Sequence, residues 1–128
     1  MTDIDITAAT GDGSTTIAWL QAETGRINAA NGWREGETTP MEQVMLIVTE
    51  AAEIAEELRH GHEVDEVYYL RGPNQDRPKP EGVPSELADV VIRCMDFADR
   101  YGIDLEAAIV EKLSYNETRG YRHGGKAL

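Results

Sequence analysis

At 128 residues the chain has the length of one domain, with little room for a second. Hydrophobic residues make up 41% and aromatics only 6%, so a core must be built mainly from aliphatic side chains and alanine. Twenty-four acidic against 12 basic residues leave a net charge of −12, a field that repels phosphate backbones and anionic lipid and so argues against a nucleic acid polymer or a membrane as partner.

In chain order, residues 1–13 alternate small and acidic side chains without helical period and are expected to be flexible. They have neither the basic nor the apolar region of a secretion signal, and a cytoplasmic protein is the expectation. The remainder, 14–128, reads as one all-α domain, bundle-like with four helices. Ser14 can cap a first helix with Ile17, Leu20 and Ile27 on one side, ending near Asn31-Gly32, with Trp33 just beyond. The second has the clearest start, because Thr39-Pro40-Met41-Glu42 combines a capping Thr, Pro at the first helical position and Glu at the third; it should run to about His60 and stop at Gly61. A long loop with Pro73, Pro78 and Pro80 follows, and its Val67-Tyr68-Tyr69-Leu70 fits either a short strand or an aromatic patch. The third helix should begin around Pro84-Ser85 and stop at Gly102. It carries the single cysteine, Cys94, which has no partner for an internal disulfide and reads as inert core. Asp104 caps a fourth, which runs to about Arg119-Gly120.

Two pairs of carboxylates occupy matching places. Residues three apart share a helix face, so Glu50 and Glu53 form a pair on the second helix, and Glu86 and Asp89 form one on the third. A stripe of Glu50, Glu53 and Glu57 adjoins the apolar arc of Ile47, Ala51, Ile54, Ala55 and Leu58. On the third helix the Glu86/Asp89 edge, with Arg93 beside it to pair with Asp89 or Asp96, adjoins Leu87, Val90, Val91, Cys94 and Ala98. If the two arcs pack together, the acidic edges converge on one seam. Carboxylates brought so close repel by about 1 kcal/mol or more per pair, and a divalent cation removes that conflict. Hard oxygen donors without nearby cysteine favour Mg²⁺, with Mn²⁺ as a substitute. Either pair taken alone reads first as the solvated face of a helix; it is the repetition on two helices that brings the shared cation forward.

Glu50-x-x-Glu53, Glu86-x-x-Asp89 and Lys112-x-x-x-Asn116, with the runs Lys79-Pro80-Glu81-Gly82, Glu86-Leu87-Ala88-Asp89-Val90-Val91-Ile92-Arg93, Tyr115-Asn116-x-x-Arg119 and His123-Gly124-Gly125-Lys126, resemble the MazG-like, all-α nucleoside triphosphate pyrophosphohydrolase superfamily. The runs are most similar to its small stand-alone members in bacteria and phages, over about Ile27 to Lys126. The resemblance implies Mg²⁺-dependent hydrolysis of a nucleoside triphosphate between its α and β phosphates, in a homo-oligomer such as a dimer or tetramer. The metal ligands would fall on Glu50, Glu53, Glu86 and Asp89, with Glu50 and Glu53 as catalytic carboxylates. Thr49 stands where the family often has a further Glu, and the connection from Glu53 to Glu86 is longer than usual.

The chemistry agrees with the residues. A triphosphate brings about four negative charges to an acidic site and needs cations. Lys112, Asn116, Arg119, His123 and Lys126 are the candidates to hold its phosphates, and Trp33 the candidate to stack its base. Each has a plainer alternative: cations complementing the last helix's C-terminus, a surface Asn, a flexible tail, and for Trp33 a core plug. Other functions to weigh are phosphoribosyl-ATP pyrophosphohydrolase and a non-catalytic acidic protein that mimics DNA.

Overall fold

The structure, a computed structural model, describes residues 15–73 and 75–127. It is mainly helical: α1 (Ile17–Ala30), α2 (Pro40–Arg59), α3 (Val83–Arg100), α4 (Leu105–Thr118) and one irregular turn, α5 (Arg122–Gly125), with two short strands, β1 (Tyr68–Leu70) and β2 (Lys79–Glu81). The expected flexible start and the cap at Ser14 lie outside the described residues; α1 is capped by Thr16, whose Oγ1 accepts from the Trp19 N–H. At α2 the box is complete, Thr39 Oγ1 accepting from Glu42 N–H and the Glu42 carboxylate from Thr39 N–H. Asp104 Oδ1 accepts from Ala107 N–H and opens α4.

Helices α1, α2 and α3 end alike. The residues after Asn31, His60 and Tyr101 are glycines whose N–H groups reach Ala29, Leu58 and Asp99 carbonyls, and the next N–H in each case bonds one residue further back, to Asn28, Glu57 or Ala98. This motif satisfies carbonyls a helix end leaves open and turns the chain sharply. The undecided Tyr68–Leu70 segment is a strand, antiparallel to β2 with Tyr68 opposite Glu81 and Leu70 opposite Lys79. It seats the end of the long loop on the start of α3, where Ser85 Oγ donates to the Pro80 carbonyl.

Helix α3 is the centre, with α1 and α2 packed on it; α4 touches mainly α1. Gly25 lets α1 and α3 approach, since a Cβ there would collide with the Asp99 carboxylate. The α1–α4 link is polar: Gln21 Nε2 donates to the Ile103 carbonyl and the Ala18 N–H to Glu106. Within one chain α4 therefore does not close a four-helix bundle, and Ala107 to Thr118 are exposed.

The helix faces also pack differently from the expectation. The apolar arcs are buried only in part: Ala98 is buried and Ile47, Ile54, Val90 and Cys94 are half-buried, while Ala51, Ala55, Leu58, Leu87 and Val91 are exposed. Gln43 and Glu57 of α2 and Glu86, Met95, Asp96 and Ala98 of α3 are buried, whereas Val44, Val48, Leu58, Leu87 and Val91 are exposed. The polar stripe thus lies between α2 and α3 and much of the apolar surface faces outward, an arrangement that leaves only Met95 and Ala98 as buried hydrophobic residues among those described. Cys94 is half-buried. No described helix is long and apolar enough to cross a membrane.

Candidate functional site

Turning the stripe inward collects carboxylates. Oxygens of Glu50, Glu86 and Asp89 lie within 4.8 Å of one another, and so do those of Glu57, Glu81 and Glu86. Glu86, shared by both groups, is the bridge. Glu50 and Glu57 are seven residues apart, two turns of α2 on nearly one line. Glu53 is offset to the side, is exposed and belongs to neither group. Thr49 points its hydroxyl back to the Leu46 carbonyl of its own helix.

These carboxyls feel one another. Burial, a hydrogen bond with Glu81 and the charge of Asp89 push Glu86 up to about 7. Asp89 is raised by burial and by Glu50, with Lys79 and Arg93 acting the other way. Arg93 pairs with neither Asp89 nor Asp96; its Nε donates to Glu50 Oε1 at 3.0 Å, because it projects across the seam to α2. In the second group Tyr68 Oη donates to both Glu57 oxygens at 2.9 and 3.0 Å, and its proton is held until about pH 12, chiefly by that bond. His62 stacks on Tyr68 at 4.6 Å and meets Glu66 through Nδ1 at 3.0 Å.

Glu50 and Asp89 open on a cavity of about 720 Å³ whose wall also includes Asn28, Trp33, Gln43 and Arg93. Trp33 is no core plug: it is 71% exposed. Trp33, Glu50 and Asp89 thus line one concavity, which joins an aromatic residue to oxygen donors.

The cations of the C-terminal region lie elsewhere. Lys112, Asn116, His123 and Lys126 are exposed, Arg119 is half-buried, and none lines that cavity. The Lys112 Nζ and the Arg119 guanidinium both lie 5.7 Å from the Tyr115 ring, so Tyr115 gathers the cations of α4. His123 and Arg122 adopt positive φ, +53° and +48°.

Sequence reasoning singled out neither Glu81 as a site residue nor the cluster of Asn28, Arg34, Asp96 and Arg100 behind Trp33. Their signal was present on α3, where Glu86, Asp89, Arg93, Asp96 and Arg100 recur at steps of three or four and make one charged face. Comparison with family models, with curated proteins and with solved structures finds no match for this chain.

Proposed function

We propose that this protein is a Mg²⁺-dependent nucleoside triphosphate pyrophosphohydrolase, releasing nucleoside monophosphate and pyrophosphate and so cleaning or balancing the nucleotide pool. The observation that carries this reading is the meeting of Glu50, Glu86 and Asp89, two of them in the wall of the cavity that exposed Trp33 lines. Three crowded carboxylates, one with its proton retained to near neutral pH, form an oxygen donor set that suits a hard divalent cation, with Mn²⁺ as substitute. Glu50, Glu86 and Asp89 would hold it, with Glu53 beside them on the exposed side. When bound, the cation neutralises phosphate charge and polarises the phosphorus under attack.

The chain's own residues do the rest. Glu53 or Glu50 orients the attacking water and takes its proton. Trp33 stacks the base. Lys112, Asn116, Arg119, His123 and Lys126 hold the outer phosphates. None of these lines the cavity of their own chain, so this role requires that they come from a second copy, in a homo-oligomer. The outward Val44, Val48, Leu87, Val91, Val110 and Leu113 supply its apolar contacts.

Pyrophosphate release from a panel of canonical and modified NTPs and dNTPs, with phosphoribosyl-ATP included, tests this directly. At least one substrate is expected to be cleaved with Mg²⁺, to be spared with a chelator, and to be spared by Asp89→Asn at unchanged helix content. Turnover of phosphoribosyl-ATP alone would identify that specialised enzyme, and Mg²⁺-independent binding of a basic protein without any turnover would identify an acidic mimic.

A further inference from the structure

Asp96 is the most deeply buried large side chain of the described protein, 2% exposed, in the middle of α3. Its Oδ2 accepts from Arg100 Nε at 2.7 Å; its Oδ1 accepts from Arg34 Nη2 and from Asn28 Nδ2, both at 2.8 Å. Arg34 also donates to Asp99 at 3.0 Å. Arg100 also reaches the backbone: its Nη2 donates to the Trp33 carbonyl at 2.8 Å. The Trp33 N–H in turn donates to the Asn28 carbonyl at 2.9 Å. Trp33 is therefore clamped at both backbone polar groups, and the next residue along, Arg34, is tied to the same buried carboxylate.

The clamp contrasts with what it holds. Trp33 is mostly exposed and lines the cavity that Asn28, Asp96 and Arg100 also line. A buried ionic network is a poor way to gain stability, because removing charges from water costs about what their pairing returns. It does fix geometry, since each bond constrains the next in a low-dielectric setting. A loop ordered during folding presents its aromatic face without losing further entropy on binding.

We propose that Asp96, acting through Arg100 and Arg34, is a positioning residue that fixes the backbone of Trp33 and so presents its indole as a stacking face for the nucleobase, in the cavity that Glu50 and Asp89 also line. This inference rests on the pyrophosphohydrolase reading above. Asp96 and Arg100 also line the cavity, so their action through Trp33 is read from the motion of the indole in the nucleotide-free protein.

The experiment uses the full chain with Trp19→Phe, which leaves Trp33 as the single tryptophan. Time-resolved anisotropy of the nucleotide-free protein reads the indole's own motion. Arg100→Gln is expected to add a nanosecond component absent from the parent, to raise KM about ten-fold with kcat within about two-fold, and to weaken quenching of Trp33 by nucleoside monophosphates about ten-fold. Arg100→Lys, which keeps a charged donor, should recover part of each change and serves in its place should the Gln variant lose helix content. Unchanged indole motion would overturn the proposal. So would freed motion with KM and quenching both unchanged. If the parent releases no pyrophosphate from any triphosphate, the proposed function falls by itself, and the anisotropy and quenching still decide whether the network holds Trp33 for a base.

Discussion

Glu86 joins two groups of carboxylates, and without a cation it is eased by a proton. Its pKa stands at about 7 in the folded protein against an ordinary 4.5, through burial first and then Glu81 and Asp89. A carboxyl whose folded pKa is raised contributes stability that is fully present below about pH 4.5 and is lost as pH rises through about 7. With a chelator present, the melting temperature should therefore fall between about pH 5 and pH 8. Millimolar Mg²⁺ should raise it most at the alkaline end, where the ion no longer competes with the proton. Glu86→Gln should flatten both effects; a profile as steep as the parent's would assign the slope to other groups. Asp96 behaves in the opposite sense. Burial works against its charge, but bonds from Arg100, Asn28 and Arg34 prevail and hold it below the usual range, so its contribution persists to more acidic pH and is lost only below about 3.8.

Among the elements, the hairpin is the one whose place depends most on a single residue. Gly82 precedes α3 with φ +109°, and a Cβ there would drive into the Glu66 carbonyl and crowd Val67 just before β1. Gly82→Ala should cost about 2–4 kcal/mol in chemical denaturation, combining backbone strain with a displaced strand. It should also detach Glu81 from Glu86 and weaken the alkaline loss of stability described above. A change below about 0.5 kcal/mol would mean that the hairpin moves freely against α3. The start of α2 was legible because cap, proline and acidic residue are local and satisfy groups within one turn. The hairpin was not, because its strands are three residues each and stand on a pairing partner eleven positions away.

For the molecule as a whole, the decisive feature is how little apolar surface one chain buries. Val110 is 60% and Leu113 62% exposed on α4, and Val44, Val48, Leu87 and Val91 add to the outward surface. Sedimentation should find more than one chain per particle. Leu113→Glu should shift it toward single chains and lower the melting temperature by several degrees, because a charge would replace apolar contact at the surface proposed to be shared. If α4 serves a neighbour's site, mixing inactive Asp89→Asn with inactive Lys112→Ala chains should restore part of the pyrophosphate release. Mixtures as inactive as their parents would confine each site to one chain.

The sequence by itself determined the helical character, the ends of α2, the Asp104 cap, the glycine stops and the spacing that sets Glu86 and Asp89 on one face, because these depend on contacts within a few residues. Only the tertiary structure decided which side of that pattern turns inward. Helical period fixes the angle between two stripes but not which of them meets a neighbouring helix, and here the neighbour met much of the polar one. That choice brought Glu50 against Arg93, buried Glu57 and Asp96, left Glu53 at the edge, and tied Arg100 to the carbonyl of an exposed Trp33. Partners separated by 43 and 67 positions have no local rule to announce them; packing of α1 and α2 on α3 made them neighbours.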